Sequence, residues 1–204
     1  MNPAQESTGS MKRCWWCGTD NEYVRYHDVE WGVPVTNDIR LFEKLSLEGF
    51  QSGLSWITIL RKRDAFREVF YDFDPFRVAE FGEGDVKRLL GDARIVRHRG
   101  KIEAVVQNAR AYAELVAREG SLARFVWGFA PERVATRRRR SEIPSTSVES
   151  TAFSKELRRR GWRFVGPTTA YAFFQAMGLV NDHLVDCFRH AEVRALRARV
   201  EMGR

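Results

Sequence analysis

The residues best suited to chemistry fall into three groups. The first is sulfur and imidazole: Cys14-x2-Cys17 and His27 near the start, His183-x3-Cys187 near the end. Four residues apart on a helix, His183 and Cys187 face the same way and make a usable half-site for zinc. Cys14 and His27 supply a second half, completing a closed Cys2His2 set of the structural type. Such a site would staple the loop-rich N-terminus to the C-terminal part, with roughly 10–16 kcal/mol of apparent binding energy behind it. Cys17 competes for a place, because Cys-x2-Cys is the commoner half-site. Spacing alone favours three unrelated thiols and a core His27, since the halves lie about 156 residues apart. A thioredoxin-like pair lacks its βαβ surroundings. A zinc deaminase is disfavoured too: His27 is followed by Asp28-Val29-Glu30, and Cys14 is preceded by Arg13.

The second group is aromatic and acidic. Trp16, Tyr23, Tyr26, Trp31 and Trp56 flank Glu48, which stands inside an apolar run between Leu47 and Gly49. Aromatic faces could enclose a flat ring, at roughly 1–3 kcal/mol per stacked base. A cationic ring gains about 0.5–2 kcal/mol more once desolvated. A carboxylate at the floor would accept from an exocyclic amino group and favour positive charge. The plainer alternative is a set of core aromatics with Glu48 as a cap or surface residue. The cavity reading requires Glu48 to face a cavity; an acid far from any cavity, turned to bulk solvent or locked in a lysine pair, would contradict it.

The third group is a turn. A basic helix ends at Gly161, a turn runs from Gly161 to Gly166, Pro167 opens a second helix, and Gly178 stops it. Ala170, Phe173, Phe174 and Met177 give that helix an apolar face. Backbone N–H groups in such a turn, with a helix N-terminus behind them, suit a phosphate. An ordinary corner between packed helices fits equally well. Lys155, Arg158, Arg159, Arg160 and Arg163 favour the phosphate.

The elements that must hold these groups read as helices. One starts near Thr36 to Asp38, and a break between two helices is expected around Gly49 to Gly53. Short helices follow at about 63–70, 75–80 and 83–90. The strongest spans 97–118, where Ile102, Val105, Val106, Ala109, Ala113 and Val116 form one stripe. A short element holds Phe125, Val126 and Phe129, and 131–147 reads as a loop carrying Arg137 to Arg140. Residues 191–204 read as a charged helical tail, and 12–35 as loop with a short helical turn. No period-2 strand pattern or internal repeat is found, so the fold class is all-α. The 204 residues, 44% hydrophobic with fourteen Phe and six Trp, suit one domain of two lobes over 12–204. Residues 1–11 read as a disordered tail. A net charge of +7 points to a polyanion, nucleic acid before membrane. No apolar run approaches a membrane span. Three cysteines without a signal peptide fit a reducing, cytoplasmic setting.

Five ordered strings carry a resemblance. They are Tyr26-His27-Asp28-x-Glu30-Trp31-Gly32-Val33-Pro34, Leu47-Glu48-Gly49-x-Gln51-x-Gly53-Leu54-Ser55-Trp56-Ile57-Thr58, Arg97-His98-Arg99-Gly100-Lys101, Ser141-Glu142-Ile143-Pro144 and Gly178-Leu179-Val180-Asn181-Asp182-His183. Spanning about residues 14–187, they resemble the 3-methyladenine DNA glycosylase I family of the helix-hairpin-helix superfamily. The resemblance implies a helix-hairpin-helix at about 152–178 and hydrolytic excision of 3-methyladenine from alkylated double-stranded DNA by a monomer in a bacterial cytoplasm. It implies structural zinc on Cys14, His27, His183 and Cys187, against the ranking by spacing. It implies that Glu48 reads the base edge, that Tyr26 and Trp56 stack on it, and that Trp16 and Tyr23, with Trp31, line the pocket. Gly53 and Leu54 would plug the gap left by the extruded nucleotide. Gly161, Arg163, Gly166, Pro167 and Thr168 would hold a phosphate.

Two departures bear on this. Most of the wider superfamily has a catalytic Asp where this chain has Asn181, a gap this subfamily shares. Because 3-methyladenine is already a cation in DNA, extrusion, desolvation and selective binding, with Glu48 and a water, would then do most of the work. Arg137–Arg140 and Cys17 match no family feature. The rival reading is a catalytically silent DNA-binding module with a zinc staple.

Overall fold

The computed structural model describes residues 11–202. The expected tail therefore lies outside the described residues, Met11 apart. Among those residues there are eleven α-helices, three 3-10 turns and no strand, only an isolated bridge from Arg137 to Leu184. The all-α expectation holds.

The N-terminal segment is more ordered than its sequence suggests. After a 3-10 turn, Trp15–Cys17, helix α1 runs over Asn21–Val29. Asp20 starts it by accepting from the backbone N–H of Glu22 and Tyr23. The loop expected over 12–35 is thus corrected. Dense aromatics hide the helical period there, and the Asp20 cap is the signal that marks the helix.

Helix α2, Asp38–Gln51, is capped by Asn37 and buries every residue from Leu41 to Phe50. A helix buried on all sides belongs at the centre of a fold. It packs against α3 (Trp56–Leu60), α7 (Arg99–Glu119), α8 (Leu122–Trp127), α10 (Pro167–Ala176) and the Tyr71–Phe73 turn. The expected break at Gly49 to Gly53 falls later, at 52–55. Gly49 stays helical: a Cβ there would lie 3.3 Å from the Phe164 Cβ, so glycine lets the 161–166 turn close on α2. Burying four polar side chains on one helix (Glu43, Lys44, Ser46 and Glu48) is costly unless each charge finds a partner.

Helices α4 (Arg63–Val69), α5 (Pro75–Ala79) and α6 (Glu83–Gly91) fall where Asp-Pro and Gly punctuation placed them. Asp74 caps α5 and Pro75 opens it. Phe42, Phe50, Phe66, Phe70 and Phe73 fill one part of the core, and Phe153, Phe173 and Phe174 another. Helix α9, Val148–Arg159, packs against α10, and α11, Arg189–Met202, closes the described chain. Between α10 and α11, Gly178 sits at φ +77°, where a Cβ would fall 2.6 Å from Pro34 N and 2.7 Å from Gly32 O. That contact lets Gly32 and Val35 donate to the last carbonyls of α10, Ala176 and Met177. The end of α10 is thereby fastened to the N-terminal segment. No helix among the described residues is long and apolar enough to cross a membrane.

Candidate functional site

Cys14, His27, His183 and Cys187 converge. All four are buried, and their ligand atoms lie within 4.8 Å of one another. Cys187 Sγ is 3.4 Å from His27 Nε2 and 3.4 Å from His183 Nδ1, and Cys14 Sγ is 3.6 Å from His183 Nδ1. The outward ring nitrogens are occupied. His27 Nδ1 meets Asp28 Oδ1 at 2.7 Å and His183 Nε2 meets the Trp31 carbonyl at 3.0 Å. Arg13 in turn grips Asp28 through Nε and Nη2. Partners on the outer nitrogen fix each ring and turn the other nitrogen toward the thiols, with His27 Nε2 also 3.3 Å from the Cys14 N–H. The hydrogen bond between the thiols pushes Cys14 up and draws Cys187 down, the two His rings adding to the latter. Two buried thiols and two imidazoles turned toward one point form a donor set that suits a divalent cation, which takes the sulfurs as thiolates. The residues therefore fit a metal. Spacing ranked this cluster below unrelated thiols; the fold overturns that ranking. Cys17 is excluded from the set, since its thiol donates to the Cys14 carbonyl at 3.1 Å.

Beside this cluster lies a cavity of about 260 Å³. Its wall includes Trp16, Tyr23, Tyr26, Trp31 and Trp56, the five aromatics named from sequence, and Glu48. Trp16 is the hub, edge-on to Tyr23 and to Trp31, each with centroids 5.0 Å away. Trp31 in turn sits edge-on to His183 at 4.6 Å, so the metal-type cluster backs the cavity wall. The indole N–H groups of Trp16 and Trp56 are buried without a protein partner. The sequence reading missed Trp15, Lys44, Gln51, Ile143, Ala172 and Gln175. Gln51 and Lys44 were legible as neighbours of Glu48 on one helix face, three and four residues away.

Lys44 corrects the expectation of a lone acid. Its Nζ is 2.8 Å from Glu48 Oε1, 3.0 Å from the Tyr26 hydroxyl and 3.1 Å above the centre of the Trp56 ring. Glu48 faces the cavity as expected, and its lysine partner lines the same cavity, so the pair does not take the acid away from it. The physical reason is burial: a charged pair one turn apart satisfies itself where water cannot. Burial pulls the Lys44 pKa down and the Glu48 carboxylate opposes that pull. Oε2 of Glu48 is left without a protein hydrogen bond among the described residues.

The cavity continues into a cleft of about 260 Å³ lined by Glu48, Gln51, Gly53, Leu54, Thr168 and Ala172 among others. Leu54 is exposed at its edge. The α10 N-terminus, opened by Pro167 after Gly166, has no side-chain cap. In the turn before it, the N–H groups of Gly161, Trp162 and Arg163 are engaged internally, with Arg158 O, Leu157 O and Asn108 Oδ1. Anion-directed donors are thus confined to the later part of the turn and the first residues of α10. Phe164, at φ +56°, holds a strained backbone there. The five basic residues do not act together. Arg159 and Arg160 are tied to Glu156, and Arg160 also to Glu119. Lys155, Arg158 and Arg163 remain exposed.

The residues left unassigned from sequence are also placed. Arg137 pairs with buried Asp182 at 2.9 Å, and Asp182 also accepts from Tyr171 and Gln175. Arg140 lies over the Trp15 ring. Asn181 donates to the His190 carbonyl and accepts from the His183 N–H, so it supports the cluster instead of facing the cavity.

The fold is thus all-helical among the described residues, with an aromatic cavity beside a helix N-terminus that has no side-chain cap. The chain belongs to the methyladenine glycosylase family, whose profile matches residues 16–190. It is 50% identical over 179 residues to DNA-3-methyladenine glycosylase 1 of Escherichia coli (strain K12), covering 87% of this chain and 96% of that one. A crystal structure of 3-methyladenine DNA glycosylase I superposes with a TM-score of 0.85 at 48% identity, covering 88% of this chain and all of the other. A Tyr-to-Phe variant of 3-methyladenine DNA glycosylase I in complex with 3-methyladenine gives 0.84 at 36% identity, covering 88% and 98%.

Proposed function

We propose that this chain removes 3-methyladenine from alkylated double-stranded DNA, acting as a monomer with residues 12–204 as one working domain. The observation that carries the reading is the aromatic cavity with Glu48 at its wall, open to a cleft that ends at an uncapped helix N-terminus. The extruded base enters the cavity and packs against Tyr26 and Trp56, with Trp16, Tyr23 and Trp31 closing around it. Glu48 accepts from its amino group. Gly53 and Leu54 fill the space the nucleotide leaves. The helix-hairpin-helix formed by α9, the turn and α10 holds a phosphate at Gly166, Pro167 and Thr168, with the Arg163 guanidinium alongside. Gly161 gives the turn its left-handed backbone.

In the reaction a water oxygen bonds to C1′ and the C1′–N9 bond breaks. Its electron pair moves onto the base and cancels the positive charge, so the leaving group departs neutral. The water's second proton passes to solvent or to Glu48. Flipping costs a few kcal/mol, less for a damaged base. Phosphate contacts by the basic surface offset part of that cost. Cys14, His27, His183 and Cys187 would hold structural zinc, which would supply a staple behind the Trp16–Trp31 wall.

The test is base release from methylated duplex. Wild type is expected to release 3-methyladenine, and Glu48→Gln to slow release by about 10²-fold or more while still binding DNA. A wild-type protein that binds the duplex but releases nothing would leave the silent DNA-binding module.

A further inference from the structure

The string Arg97-His98-Arg99-Gly100-Lys101 starts α7 and carries a buried ammonium. His98 Nδ1 accepts from the Lys101 N–H and fixes the first turn of that helix. The Lys101 side chain then reaches the end of α2, where Nζ donates to Phe50 O at 2.8 Å and to Ser52 O at 2.5 Å. Burial alone draws its pKa down, with no carboxylate opposing. What the ammonium holds is one particular peptide. The Leu54 N–H donates to Gln51 O at 2.6 Å and closes a turn over 51–54. Its central residues are Ser52, at φ −44° and ψ 115°, and Gly53, at φ +80°, the pattern of a type II turn. A type I turn closes the same ends with the Ser52–Gly53 peptide rotated by roughly 150–170°. Glycine at the third position accommodates both forms. Only the type II form turns Ser52 O toward Lys101. Leu54, exposed, ends the turn.

Resting on the excision reading, we infer that Lys101 is a positioning residue for extrusion: by gripping the Ser52 carbonyl it locks the 51–54 turn in one of its two forms and so presents Gly53 and Leu54, ready formed, to the gap the nucleotide leaves. A plug that must first order itself loses part of its binding energy to that ordering. The loss falls on the flipping of a base out of duplex, and recognition of the base itself is untouched. A lysine that merely complements the C-terminal end of α2 would act differently. Its removal would loosen the helix that carries Glu48, and recognition of the base would suffer with everything else.

The experiment measures Lys101→Met with two probes. Single-turnover release from duplex carrying 3-methyladenine is expected to fall roughly tenfold, about the worth of one charge-assisted hydrogen bond. Binding of free 3-methyladenine, followed by tryptophan fluorescence, is expected to stay as in wild type. Leu54→Ala removes the plug itself, so adding Lys101→Met to it should slow release no further. Undiminished duplex release, equal losses in release and in free-base binding, or losses that multiply in the double variant would each overturn the inference. If Lys101→Met fails to fold, Lys101→Gln, which keeps an uncharged donor, carries the same cycle and is read in the same way. Failure of wild type to release 3-methyladenine at all sinks the excision reading instead, whereas failure of the cycle leaves that reading standing.

Discussion

At the scale of single residues, the cavity rests on few contacts. In the proposed reading Trp56 stacks on the base; its face now carries the Lys44 ammonium, and its buried indole N–H has no protein partner. Trp56→Ala should weaken half-saturation on methylated duplex about 5- to 150-fold, the equivalent of roughly 1–3 kcal/mol of lost stacking. The comparison needs single-turnover kinetics, because product release would otherwise obscure it. Asp28 acts one shell out. It fixes the His27 ring from Nδ1 and is itself held by Arg13. Asp28→Asn should lower metal affinity about 10- to 100-fold in a competition titration with a chelator. Unchanged affinity would mean that the His27 tautomer is set by something else.

Elements set the geometry these residues need. Gly178→Ala pushes a Cβ into the backbone of residues 32–34 at a left-handed φ, so a loss of about 3 kcal/mol is expected in urea unfolding. The end of α1 is tied to α4 by Glu30, whose carboxylate meets Arg63 at 2.5 and 2.9 Å. Burial raises the Glu30 pKa, but the paired guanidinium outweighs it and holds the carboxyl below its ordinary 4.5. A depressed carboxylate stabilises the fold fully above the unfolded value, and that stability is lost as pH falls through the folded one. Glu30→Gln should therefore cost roughly 1–3 kcal/mol at neutral pH and should lessen the wild-type loss of stability below about pH 4.5. Most of these elements were legible because their boundaries are chemical: Asp74, Pro75 and Pro167 at starts, Gly91 and Gly120 at ends. Helix α1 was not: Tyr23, Tyr26 and His27 do stand at i, i+3 and i+4, but the aromatics around them mask that spacing, and the burial of His27 depends on a cluster completed by residues 183 and 187. The five cavity aromatics were legible as residue types. Gln175 and Ala172 were not, because α10 meets the cavity only after the chain has folded back. Lys44 was in plain view, one turn before Glu48, but a lysine in an apolar run reads as a solvated face until the helix is found buried on all sides.

For the whole molecule, two quantities join the parts. The metal-type cluster ties residue 14 to residue 187 and lies against Trp31. Removing the metal with a strong chelator should lower the unfolding midpoint and, at temperatures where the fold survives, weaken base binding as well. Loss of stability without loss of binding would separate the staple from the cavity. The basic surface should make duplex binding fall with salt, each phosphate contact adding about 0.9 to the logarithmic slope. Arg163→Ala should reduce that slope by about one and leave discrimination between lesions unchanged. The central claim, that the aromatic cavity around Glu48 and Lys44 receives the damaged base, is tested most directly by a crystal structure with free 3-methyladenine. The expected result is the purine against Trp56 and Tyr26, its amino group within hydrogen-bond distance of Glu48, and Lys44 displaced from the Trp56 face. A purine bound elsewhere, or a cavity that stays closed around an unmoved Lys44 at saturating ligand, would contradict it.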